Sequence, residues 1–161
     1  MTGVPTTSAS KTRVLAAGAA AAAADALWGI AYFVVWLDAI TVGRFFQSIA
    51  RGLLGAAAFD GGAATAVLGA ALHLVIGCIW AAIYRLALTR WPWLRARAAT
   101  RGGALLAGLA FGAVIWLGMD LVVLPLSAAP AVPVFTSRFL LQLAAHALVV
   151  GPPIALILRP R

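Results

Sequence analysis

Ionisable side chains are scarce in this sequence, and several fall where their neighbours suit hydrocarbon. They are Asp25, His73, Asp120, His146 and, at a segment entrance, Arg138, with Gln142 as an uncharged polar companion. Such groups are expensive inside an apolar segment and are functional hypotheses by default. One carboxylate with two imidazoles can tie helices by hydrogen bonds, hold a proton or ligate a metal. Counting inward from the basic ends at 1.5 Å per helical residue puts Asp25, His73 and His146 each at a depth of about 17 Å. Three separate segments thus bring an acid and two histidines to one level.

Spacing refines the possibilities. Arg138, Gln142 and His146 follow at i, i+4 and i+8 and form one polar stripe, which must face away from lipid. His73 lies between Gly69 and Gly77 on one helical face, "GAALHLVIG". Small residues there admit a close neighbour, either another helix or a flat cofactor. Three readings of the histidines follow. They bond a carboxylate or carbonyl across a helix interface; they are the axial ligands of a b-type haem, with Arg138 near a propionate and Asp25 bonded to one ring; or they serve proton-linked transport together with Asp25. Asp120 and Arg138 fall near the same outer level and are expected to form an ion pair pinning the third span to the fourth.

Other chemistry finds little support. There is no glutamate, and no nucleophile–histidine–acid set, phosphate-binding glycine loop or pair of catalytic carboxylates is visible. An enzyme is not expected, with lipid-directed chemistry the remaining enzymatic alternative. The single cysteine, Cys78, makes no disulfide within the chain and no thiolate metal motif, and reads as a small packing residue.

The elements that must position these residues are membrane helices. Hydrophobic residues make up 64% of the chain and charged ones 10%, against about half and a quarter in soluble domains. Four segments are long enough for a hydrocarbon core of about 30 Å: 14–37, 62–86, 102–124 and 138–158. Alternating strand patterns are missing, so the spans are helical. The expected fold is all-α, four transmembrane helices in an up-and-down bundle, forming a single membrane domain over residues 1–161. Residues 1–11 read as a flexible polar tail. The apolar run after Lys11 and Arg13 is too long for a cleaved signal peptide and reads as a signal anchor.

Net charge is +8, but the arginines sit between apolar runs, as topology determinants do, and nucleic acid is not an expected partner. Lys11 and Arg13, the run Arg85, Arg90, Arg95, Arg97 and Arg101, and Arg159 with Arg161 must share one side in a four-span chain. The positive-inside rule makes that side cytoplasmic. "TRWPWLRARAATR" also suits anionic lipid headgroups. In the first external loop, residues 42–56 gather Phe45, Phe46, Ile49, Leu53 and Leu54 near one face and Arg44, Ser48 and Arg51 toward another, which predicts an amphipathic interfacial helix. Thr136 or Ser137 is a cap for the fourth span. Pro152 and Pro153 interrupt that span after His146 and predict a kink with carbonyls freed near Leu148 and Val149. No inverted repeat supports a transporter architecture.

Four stretches resemble a family of small bacterial inner-membrane proteins, the YagU-like membrane proteins: "FQSIARGLLGAAAFDGG" (46–62), "LGAALHLVIG" (68–77), "MDLVVLPLSAAP" (119–130) and "LAAHALVVGPPIALILR" (143–159). The resemblance runs from the first span to the C-terminus and includes both histidines. It implies a four-span fold in the bacterial inner membrane and supplies no catalytic residues. Asp120 departs from the family's pattern, in which an amide is commoner, so its ion pair is particular to this chain. The function expected is that of a structural, accessory or interaction protein of the membrane. The alternatives are a haem-binding redox module and a small transporter or proton-linked channel.

Overall fold

The computed structural model describes residues 7–130 and 132–160. Of the tail expected over 1–11, residues 1–6 lie outside the described residues, as does Arg161, while 7–11 already belong to the first helix rather than to a flexible tail. Every regular element among those described is helical. Four helical stretches are long and apolar enough to cross a membrane: Lys11–Trp36, Gly62–Arg90, Arg101–Val123 and Ser137–Leu158. Their outward faces carry exposed Leu27, Val67, Leu106 and Leu148. A soluble protein would present polar residues there, so the chain is a multi-pass membrane protein.

The first stretch is α1 (Thr7–Gly29), continued by a π-helical turn at Ile30–Trp36. Next comes α2 (Val42–Leu54), capped by Thr41, whose hydroxyl accepts from the Arg44 N–H at 3.2 Å. The second stretch is α3 (Gly62–Arg90), followed by short α4 (Pro92–Arg97). The third is α5 (Arg101–Gly118), capped by Thr100 and widened into a π turn at Met119–Val123. The fourth is α6 (Ser137–Ala145), a π turn at His146–Val150 and α7 (Gly151–Leu158). Thr136 caps α6, accepting from Phe139 N–H at 3.2 Å. Pro152 and Pro153 cannot donate to the turn before them. The Gly151 N–H reaches back to the His146 carbonyl, and this i+5 bond is the wide turn the prolines leave.

Neighbouring helices meet at small residues. Gly18 and Ala22 of α1 face Gly77 and Cys78 of α3, so closely that a methyl on Gly77 would lie 2.7 Å from the Gly18 carbonyl oxygen. Gly108 and Gly112 of α5 meet Gly151, Pro152 and the His146 carbonyl in the same manner. In lipid no hydrophobic force drives helices together, so backbone proximity and interhelical hydrogen bonds must do it. α1 packs on α3 and on α7, and α7 packs on α5. α3 and α5 are joined by ring contacts, Trp80 and Tyr84 against Phe111 at 6.1 and 4.9 Å.

α2 is held on α3. Gly69 accommodates the Phe46 carbonyl, Phe45 lies over Gly29, and Gln47 donates to the Gly62 carbonyl at 2.9 Å. The apolar set on this helix is therefore divided, with Phe45 buried and Leu53 and Leu54 exposed. The main core lies toward the arginine-rich end, where Ala17, Tyr84, Leu88, Ile154 and Leu158 are buried together. That end is tied across the chain: Arg13 donates to the carbonyls of Ile157 and Arg159, at 2.5 and 2.8 Å. Arg159 in turn reaches the Ala99 carbonyl at 3.4 Å. The start of α1, the end of α7 and the α4–α5 connection thus share one end of the bundle.

Candidate functional site

Asp25 projects from α1 between two imidazoles. His73 Nε2 is 3.6 Å from one carboxylate oxygen and His146 Nε2 is 3.7 Å from the other. Side-chain exposures of 23% for Asp25, 14% for His73 and 10% for His146 put the group inside the bundle without sealing it. Gly77 lets α1 come against α3 one turn from His73, and Gly69 admits α2 one turn to the other side. The face of α3 around His73 is thus occupied by two helices.

Hydrogen bonds fix the tautomers. His73 Nε2 lies 3.0 Å from the Ala22 carbonyl, which only accepts, so Nε2 carries the proton. His146 Nδ1 lies 2.9 Å from the carbonyl of Gln142, one turn earlier, and must donate there. The remaining nitrogen of His146, Nε2, faces Asp25. A neutral imidazole and an ionised carboxylate would present lone pairs to each other along that line. At 3.7 Å the pair is too long for a direct hydrogen bond.

Around this core lie groups that sequence reasoning did not include. Trp28, one turn beyond Asp25, donates its indole N–H to Gln142 Oε1 at 3.0 Å. Its i+3 spacing from Asp25 was the available signal. Trp116 of α5 stands 4.9 Å from the His146 ring, and nothing in the sequence connects the two. Its link is Gly112, one turn before Trp116, where α5 touches the His146 backbone. Gln142 Nε2 and Trp116 Nε1 are buried with no hydrogen-bond partner among the described residues. Both donors belong to residues that touch the cluster, Gln142 through its backbone carbonyl bonded to His146 Nδ1 and Trp116 through its ring against His146.

The expected Asp120–Arg138 ion pair does not form. Asp120 is 1% exposed, and its Oδ1 accepts from the Val132 N–H at 2.8 Å, tethering the connection before α6 to the π turn. Its Oδ2 has no partner. Arg138 is exposed and lies with its guanidinium 5.0 Å above the Phe33 ring on the first span. The physical reason is rotation: Asp120 turns into the bundle beneath its own loop, whereas Arg138 turns toward α1's extension. Among the described residues no group of three or more His, Cys, Asp or Glu is arranged to hold a metal ion.

No protein-family model matches the chain, and neither curated proteins nor solved structures include a significant match.

Proposed function

We propose that this chain is a small accessory or interaction protein of the bacterial inner membrane, whose Asp25–His73–His146 cluster ties three spans together by polar contacts. The observation that carries this reading is the single carboxylate between two imidazoles at 3.6 and 3.7 Å. Interhelical polar contacts in membranes contribute about 0.6–2 kcal/mol each, so the clamp is a moderate latch rather than the main source of cohesion. The basic end supports cytoplasmic termini, and α2, with Leu53 and Leu54 outward, supports a helix lying along the external interface.

A b-type haem between His73 and His146 is a weaker reading. Both Nε2 atoms face oxygens of Asp25 instead of an open slot, and that of His73 already donates to the Ala22 carbonyl. Proton-linked transport is the stronger alternative, favoured by the unpartnered donors of Gln142 and Trp116 beside a partly exposed Asp25.

Nitrogen-15 NMR of histidine-labelled protein in nanodiscs tests the clamp. Asp25→Asn should shift the Nε2 resonances of both histidines, and unchanged resonances would overturn it. Proteoliposomes holding a pH gradient separate the two roles. The accessory reading expects the gradient to persist, while discharge that requires Asp25 would establish transport.

A further inference from the structure

The bundle has a second site, unrelated to the histidines. Beside the contact of Trp80 and Tyr84 with Phe111, residues of α3, α4 and α5 line a common space that reaches the arginine-rich end. Between them is a cleft of about 660 Å³, within the range of roughly 300–1,000 Å³ that small-molecule sites occupy. Its walls are almost entirely apolar, and Arg90 and Arg97 are its charged lining residues. Both arginines are exposed, as are Trp91 and Trp93 beside them.

Three features identify the occupant. First, the lining on α5 runs from Gly103 to Val114, which at 1.5 Å per residue is about 16 Å. One leaflet of a hydrocarbon core about 30 Å thick has that depth. Second, both arginines come from the end that carries Arg85, Arg95 and Arg101 as well, and no acidic residue falls between positions 61 and 119. Nothing on these walls repels an anion, and the guanidinium fork matches phosphate oxygens. Third, tryptophans at the mouth suit the headgroup level of a bilayer. Tyr84 forms part of the floor. It is 1% exposed, and its hydroxyl has no hydrogen-bond partner among the described residues.

The geometry points to a binding site for one anionic phospholipid of the surrounding leaflet, an acyl chain lying along α3 and α5 and the phosphate held by Arg90 and Arg97. This is more than attraction of a basic loop to a charged surface, because it requires the cleft as well as the arginines. The site is independent of the Asp25–His73–His146 cluster and stands or falls without it.

Native mass spectrometry of the full chain, released from detergent containing equal phosphatidylglycerol and phosphatidylcholine, tests the proposal. The wild type should retain phosphatidylglycerol preferentially. Arg90→Gln with Arg97→Gln should weaken that retention by roughly 30-fold, about fivefold for each basic residue near a lipid headgroup. Ala110→Trp, which leaves both arginines in place, should fill the cleft and abolish retention of either lipid. Ala107→Trp repeats that test from the next turn, and a circular dichroism melt shows that each variant is folded. Equal retention of the two lipids by the wild type overturns the headgroup assignment. Wild-type retention in both tryptophan variants overturns the cleft, since the arginines would then be acting as a surface patch.

Discussion

Gly112 is where the packing of the bundle can be tested most sharply. It lies on α5 against the π turn that begins at His146. A methyl there would fall inside contact distance of the His146 carbonyl oxygen and 2.7 Å from Ala147 Cα. Comfortable contacts between carbons are about 3.5–4.0 Å, so Gly112→Ala must drive α5 and the turn apart by about 1 Å. The obstacles are backbone atoms, which cannot rotate away as a side chain would. Overpacking of this kind costs roughly 1–3 kcal/mol, and the better helix propensity of alanine returns up to about 1 kcal/mol. A net loss of about 1–2 kcal/mol is therefore expected, lowering the folded-to-unfolded ratio by about 5–30-fold. The assay is reversible denaturation of the detergent-solubilised protein, followed by circular dichroism. Gly102→Ala is the control, because Gly102 sits on the same helix with nothing within 4 Å of the added methyl. If Gly112→Ala is as stable as Gly102→Ala and as the wild type, the close approach of α5 to the His146 turn is not formed. The scaffold holding His146 toward Asp25 would then need another explanation.

Other substitutions give equally definite expectations. Asp120→Ala should destabilise by about 1–2 kcal/mol, since it leaves the Val132 N–H without an acceptor. Asp120→Asn keeps an acceptor and should be tolerated in the same denaturation assay. Arg138→Ala should be near neutral in that assay, and a loss matching that of Asp120→Ala would restore the ion pair. Trp28→Phe removes the donor to Gln142 Oε1 and should cost about 1 kcal/mol, with no change expected if Gln142 is already replaced by leucine. Cys78→Ala should be silent in thermal unfolding. Cys78→Leu should not be, because Gly18 packs directly on the Cys78 backbone and sulfur.

Much of the architecture was legible in one dimension. Hydropathy is a local property, so four apolar stretches of sufficient length identify four helices without knowledge of how they pack. Caps and prolines act within one or two turns, and Thr136 and Pro152–Pro153 mark the start and the widened turn of the fourth stretch. Depth is also local: counting along each helix places Asp25, His73 and His146 at one level. Rotation is not. Asp120 and Arg138 share a level too, yet one turns into the bundle and the other lies over Phe33.

Length, apolar runs and axial spacing therefore determined that this chain forms four membrane helices with an acid and two histidines near mid-depth, because each follows from a rise of 1.5 Å per residue in a medium that forbids unpaired backbone. The tertiary structure decided which faces meet. Gly18 against Cys78, and Gly112 against the His146 carbonyl, set how closely the helices approach and how they are turned. With the helices so placed, one carboxylate lies between two imidazoles, with Trp28 bonded to Gln142 and Trp116 against His146. Helix rotation arises from pairwise backbone approach between distant segments, which no count along a single segment contains.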